Sequence, residues 1–211
     1  MKTPEVVIIG LGYIGLPTAA LIASKKLYVH GVDINQTVVN TINRGEIHIV
    51  EEGLGLEVAA AVKEGYLCAS TIPVQSRNYI IVVPTPFKND KQPDISYIES
   101  AILSIIPFLK PKDLVIIEST SPIGTTEKIM EITYFNRPEL RDEIFFSYCP
   151  ERVLPGNIMY ELVNNDRVIG GVNVESTKRA LDFYSSFVEG ELHSTNARTA
   201  EMCKLVENSS R

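Results

Sequence analysis

The chain lacks any excess of positive charge, any long apolar run, any closely spaced cysteine pair and any repeated or low-complexity segment. Its 20 basic against 26 acidic residues leave a net charge of −6, which denies it the basic face that nucleic-acid binding requires. An anionic ligand must then be held by local dipoles and a few placed cations. The longest apolar stretch near the start, Ile14 to Ala23, carries Pro17 and Thr18 and is about half of the roughly 20 residues a membrane span needs. Lys2 is followed by Thr3, Pro4 and Glu5 and then by a short apolar run before glycine, so no signal-peptide pattern is expected. Cys68, Cys149 and Cys203 form no CxxC pair and are odd in number, which suits a reducing cytoplasm and buried thiols better than a disulfide scaffold.

With 211 residues, 45% of them hydrophobic, the chain can bury a sizeable core, as one large domain or one domain plus a fragment. Short β-branched runs alternate with helical patterns along nearly its whole length. Strands are predicted at Val6 to Ile9, Tyr28 to Val32, Ala69 to Ile72, Tyr79 to Val83, Leu114 to Ile117, Ile144 to Ser147, Arg167 to Ile169 and Glu191 to His193. Helices are predicted near residues 13–24, 36–43, 54–64, 95–108, 124–134 and 175–187, with a further amphipathic helix over the closing residues. Continuously apolar strands separated by helices predict an α/β fold, a doubly wound Rossmann-type parallel sheet with helices on both faces. In such sheets ligands lie outside the carboxyl ends of the strands, so the residues following each strand matter most.

The first strand runs into Gly10-Leu11-Gly12-Tyr13-Ile14-Gly15 and then a helix. Gly10 permits a tight turn, Gly12 lets backbone approach a diphosphate, and Gly15 lets helix and strand pack closely. Amides around Tyr13 and Ile14 would face the phosphates at the positive end of the helix dipole. The second strand ends in Asp33, placed to accept hydrogen bonds from the adenosine ribose and to repel a 2′-phosphate. No arginine stands nearby, so NAD is expected over NADP; the plainer alternatives are a structural glycine turn and an acid that caps the next helix.

Later strand ends carry further polar groups. Thr85 sits between Pro84 and Pro86; Thr120 and Thr126 flank Ser121-Pro122, itself a helix-cap pattern. Glu151 and Arg152 follow the sixth strand, either as a general base with an anion contact or as an ordinary solvated ion pair. Lys204, Asn208 and Arg211 share one face of the last helix, with Met202, Leu205 and Val206 expected toward the core. That polar face is either the wet side of the helix or a lysine, an amide and a guanidinium aimed at one polar substrate.

Together GLGYIGLPTA, GVDIN, TINRGEIHIVE, VPTPFK, ESTSPIGTTE, YCPERVLPG, NDRVIGG and RTAEMCKLVEN resemble the UDP-glucose/GDP-mannose dehydrogenase family, and within it the bacterial UDP-N-acetyl-D-mannosamine dehydrogenases. The resemblance spans the whole chain. It implies oxidation of the C6 alcohol of a nucleotide sugar, UDP-N-acetyl-D-mannosamine or a related one, to a carboxylate by two hydride transfers to NAD, with a cysteine capturing the intermediate aldehyde. Gly10, Gly12, Tyr13, Ile14, Gly15, Asp33, Thr85 and Thr126 match cofactor contacts. Thr120 and Glu151 match positions that order water for thioester hydrolysis, and Lys204 matches the catalytic lysine that stabilises oxyanion charge. Arg152, Val153, Lys204, Asn208 and Arg211 match substrate contacts, and no metal is implied.

The family's nucleophilic cysteine lies in a GGHC segment that is absent here, as is its second α/β domain. The expectation is therefore an NAD-binding domain over 1–195 and the truncated start of a central, dimer-forming helix over 196–211. The competing reading is a stand-alone NAD-binding module, a sensor or the partner of a separate carboxyl-terminal half. A β-hydroxyacid dehydrogenase would share the glycine turn and a catalytic lysine but would not be expected to carry YCPERVLPG.

Overall fold

A computed structural model describes residues 3–88, 93–154 and 156–210. Eight strands form one sheet: β1 (Val6–Ile9), β2 (Val29–Val32), β3 (Leu67–Ser70), β4 (Asn78–Ile81), β5 (Leu114–Ile117), β6 (Phe145–Tyr148), β7 (Arg167–Gly171) and β8 (Leu192–Asn196). The spatial order is β3-β2-β1-β4-β5-β6-β7-β8. The order reverses between β1 and β4, which opens a crevice at their carboxyl ends. Pairing is parallel throughout except between β6 and β7, where Ser147 faces Gly171 and Tyr148 faces Gly170. The expectation of an all-parallel sheet is corrected at this one junction, because β7 and β8 run opposite to the rest.

The helices are α1 (Gly15–Ser24), α2 (Gln36–Asn43), α3 (Leu54–Lys63), α4 (Ser96–Ile105), α5 (Thr125–Asn136), α6 (Ile158–Asn164), α7 (Val174–Tyr184) and α8 (Ala197–Ser210). Alternation along the strands divides the core into two layers. Val6 and Ile8 join the cluster under α1, α3, α6 and α7, while Val7 and Ile9 join the one under α4, α5 and α8. Helix α1 is apolar on every side because it is covered on every side, lying against α3 and α6 as well as the sheet. Asn35 and Asn173 cap α2 and α7 through their side-chain oxygens.

Three local expectations change. Strand β3 sits at Leu67–Ser70 rather than at 69–72, because its register is set by pairing with Val29–Val32. Helix α6 lies just beyond the predicted 150–157 loop and spans only 7 residues, under two turns and too short to display a periodic face. On α8, Met202 and Val206 are 48% and 58% exposed while Ala197, Ala200 and Glu201 are buried, so the helix is rotated from its expected setting. A carboxylate was counted as polar and placed outside, yet Glu201 is the residue that docks the helix.

Its Oε2 accepts the Gly124 amide at 2.6 Å, and its Oε1 accepts the Thr126 amide at 2.8 Å and the Thr126 hydroxyl at 2.7 Å. Ser121 does not cap α5; Gly124 occupies the cap position with no side-chain bond of its own, and Glu201 supplies the missing acceptor from another helix. A negative charge there also meets the positive end of the α5 dipole. Replacing Glu201 with alanine leaves these buried donors unpaired, and urea unfolding is expected to show a loss of about 3 kcal/mol. A loss below about 0.5 kcal/mol, the range of ordinary surface substitutions, would contradict this docking role.

Candidate functional site

The glycine turn at the end of β1 is built to different tolerances at its three glycines. Gly10 has φ +96°, and a Cβ there would lie 2.2 Å from the Val82 carbonyl oxygen; at Gly15 it would lie 1.8 Å from that of Gly10. Neither position can carry a side chain without moving backbone. At Gly12 a Cβ would meet nothing within 4 Å: this glycine leaves open space above the turn. Helix α1 starts with no side-chain cap; the Leu16 amide donates to the Gly12 carbonyl at 3.1 Å, and the amides ahead of it in the turn are left for solvent or a ligand. Asp33 accepts the Leu11 amide through Oδ2 at 3.1 Å and the Asn35 amide through Oδ1 at 2.9 Å. These bonds tie the acid to the glycine turn, and the α2 cap is Asn35 rather than Asp33.

The crevice widens into a cleft of about 390 Å³. Of the sequence-predicted residues, Gly10, Gly12, Tyr13, Ile14, Asp33, Thr85, Thr120, Glu151, Val153 and Lys204 line it. Gly15 is buried behind the turn. Thr126 is fully buried, its hydroxyl committed to Glu201, so the structure turns it away from the cleft wall. Arg152 and Asn208 are exposed outside the cleft lining, and Arg211 lies outside the described residues. Ser119, unremarked in the sequence, accepts the Val83 amide at 2.8 Å and holds the ends of β4 and β5 in step.

The floor of the cleft is a buried ionic cluster that local sequence reading missed. Glu151 is not paired with its neighbour Arg152, which instead contacts Glu207 of α8 at 2.9 Å. Its ion-pair partner is Arg167, at 2.8 Å between Nη1 and Oε2. The antiparallel turn of β7 causes this, because it brings the start of that strand alongside the carboxyl end of β6. Oε1 of Glu151 accepts the Arg152 and Val153 amides at 2.6 and 3.1 Å, fixing the loop that follows β6. Arg167 also donates to the Leu162 carbonyl at 3.0 Å and lies 5.3 Å from the Tyr184 ring centre.

Glu118, at the end of β5, completes the cluster. Tyr184 donates its hydroxyl to Oε1 at 2.5 Å, while Oε2 is buried with no hydrogen-bond partner among the described residues. Burial pushes the Glu118 carboxyl up to about 7, with Arg167 opposing the shift and Glu151 adding to it. Burial likewise pushes the Cys149 thiol up to about 12, which makes it a poor nucleophile. All three cysteines are free; Cys149 is buried and the other two are half-buried, not fully enclosed as expected.

From α8, Lys204 reaches the cleft on the face it shares with Glu201, and its ammonium donates to the Glu151 carbonyl oxygen at 2.6 Å. Of the polar face of Lys204, Asn208 and Arg211, Lys204 is the described residue brought to the cleft. A cationic nitrogen, two carboxylates, a guanidinium and the Thr120 hydroxyl converge beside an anion-receptive helix start. This arrangement can bind a diphosphate, polarise an alcohol oxygen and order water. No described helix is long and apolar enough to cross a membrane.

The description "UDP-glucose/GDP-mannose dehydrogenase family, NAD binding domain" matches residues 4–188. The chain is 55% identical to the UDP-N-acetyl-D-mannosamine dehydrogenase of Escherichia coli (strain K12), covering 100% of this chain and 52% of that protein. It is 51% identical to the NDP-N-acetyl-D-galactosaminuronic acid dehydrogenase of Ralstonia nicotianae, covering 97% of this chain and 50% of the relative. The solved UDP-D-ManNAc dehydrogenase from Pyrococcus horikoshii superimposes with a TM-score of 0.94 at 42% identity, over 98% of this chain and 50% of that one. The chain thus spans about half the length of the curated relatives it matches. Glycine turn, cleft and whole-length similarity agree: the chain belongs to the UDP-glucose/GDP-mannose dehydrogenase family and carries its NAD binding domain.

Proposed function

We infer that this chain is the NAD-binding half of a nucleotide-sugar 6-dehydrogenase acting on UDP-N-acetyl-D-mannosamine or a closely related sugar, with residues 196–211 beginning the helix that leads to the remainder of the enzyme. The observation that carries the reading is the continuity of one cleft from the open glycine turn and Asp33 to Thr120, Glu151 and Lys204. The cofactor fits on the chain's own geometry, since the space a Cβ would fill at Gly12 is empty and no side chain caps the start of α1.

Asp33 would hold the adenosine ribose, the Tyr13 and Ile14 amides the diphosphate, and Thr85 the far half of the molecule. When bound, NAD⁺ supplies the hydride acceptor. Lys204 places a positive charge where an alcohol oxygen becomes negative, and Thr120 with Glu151 orders the water needed for hydrolysis. Arg152, Val153, Asn208 and Arg211 are the proposed sugar-nucleotide contacts. Thr126 acts at one remove, by binding the Glu201 that fixes the helix carrying Lys204. Two relatives whose names specify different sugars match at 55% and 51%, so the chain's likeness points to the amino-sugar class. Soluble nucleotide sugars, NAD and three free thiols all suit the cytoplasm, and the central helix is the proposed dimer contact.

Fluorescence titration is expected to show NADH binding at least about tenfold tighter than NADPH, with Asp33→Ala erasing the preference. NADPH binding more tightly would overturn the assignment of Asp33. Gly12→Val should abolish NADH binding yet leave the melting temperature within about 2 °C, because a Cβ at this exposed position meets nothing within 4 Å. Unimpaired binding by that variant would place the diphosphate elsewhere. Mixed with UDP-N-acetyl-D-mannosamine and NAD⁺, the chain alone should accumulate no NADH; sustained turnover would show that the half-enzyme reading is mistaken.

A further inference from the structure

Resting on the NAD site described above, we propose that Glu118 senses the redox state of the nicotinamide: it keeps a proton when the ring is neutral or absent and releases it to solvent when the cationic ring binds. The argument begins with a charge count. Glu118, Glu151 and Arg167 are 3%, 7% and 3% exposed. Two carboxylates and one guanidinium so enclosed carry an uncompensated negative charge if all are ionised, and a charge withdrawn from water must find a counterion or take a proton.

Glu151 is the carboxylate whose oxygens are matched, since Arg167 and two backbone amides all donate to it. Glu118 receives one hydrogen bond, from Tyr184, and its second oxygen has no protein partner among the described residues. It is therefore the member that holds the proton.

The groups facing Glu118 come from each surrounding element. Arg167 of β7 favours its ionisation; Glu151 beyond β6 opposes it; Tyr184 of α7 donates to it; the Cys149 thiol, pushed up by its own burial, is uncharged. Lys204 approaches from α8 on the Glu151 side, half-exposed, with its ammonium on the Glu151 carbonyl. Glu118 also lines the cleft. With the ribose of adenosine at Asp33 beyond β2 and the diphosphate at β1, the nicotinamide half must extend across the ends of β4 and β5, the side where Glu118 stands. A positively charged ring can replace the proton there, and the neutral reduced ring cannot. The carboxyl O–H bond breaks, its electron pair stays on Glu118, and the proton passes to buffer; no electron moves.

The test is calorimetric titration of this chain with NAD⁺ and with NADH at about pH 7, in two buffers of different ionisation enthalpy. NAD⁺ should release a proton and NADH should not. Affinity for NAD⁺ is expected to fall by about tenfold per pH unit as the pH drops below the Glu118 value, with NADH affinity level over the same range. In Glu118→Gln the NAD⁺ profile should become flat and the proton release vanish. The infrared band of a protonated carboxyl should be lost when NAD⁺ binds the unmodified chain. Buffer-independent heats for NAD⁺ with the unmodified chain would overturn the proposal without recourse to any variant. So would a pH profile left unchanged by Glu118→Gln. If neither nucleotide binds, it is the NAD reading that fails; if both bind without proton linkage, only the role of Glu118 does.

Discussion

One guanidinium organises the ligand edge of this protein. Arg167 reaches Glu151, the Leu162 carbonyl and the face of Tyr184, and so ties together the loop after β6, helix α6 and helix α7. Removing one partner from a buried pair of this kind costs about 3–5 kcal/mol, far more than a surface pair contributes. The cost has a functional return: the loop bearing Glu151, Arg152 and Val153 has its first amides folded back onto the Glu151 carboxylate, so the acid is preorganised before any ligand arrives.

The pair exists because of topology. In a wholly parallel sheet the start of β7 would lie at the edge remote from the ligand. The reversal at β6–β7 carries Arg167 to the ligand edge instead. Strand β8 then runs beside β7 away from the cleft, so that α8, beginning directly after it, turns back and delivers Lys204 to the Glu151 carbonyl. A single change of strand direction thus brings two cations from the last third of the chain to a crevice built by earlier strands.

This explains what could and could not be read from the sequence. The glycine turn, Asp33, Thr85 and Thr120 are legible because each lines the cleft where it stands, at the end of a strand whose apolar run marks its place. The partner of Glu151 is not legible locally: Arg152 is adjacent in sequence, whereas Arg167 becomes a neighbour only through an antiparallel register. Glu118 and Tyr184 are joined across two elements, and neither belongs to a short motif that implies the other. The setting of α8 was misjudged for a related reason. Hydrophobic periodicity assumes that charge points outward, and it fails where a carboxylate is buried against the amides of another helix.

Glu201 and Lys204 stand one turn apart on the same face of α8, the first gripping the amino end of α5 and the second touching the loop after β6. The helix is thereby anchored at neighbouring points to the start of α5 and to the loop after β6, like a strut between two beams. Any force that tilts it must displace both anchor points in concert, so strain applied at its carboxyl-terminal end would reach the ammonium and the start of α5 as a single mechanical movement.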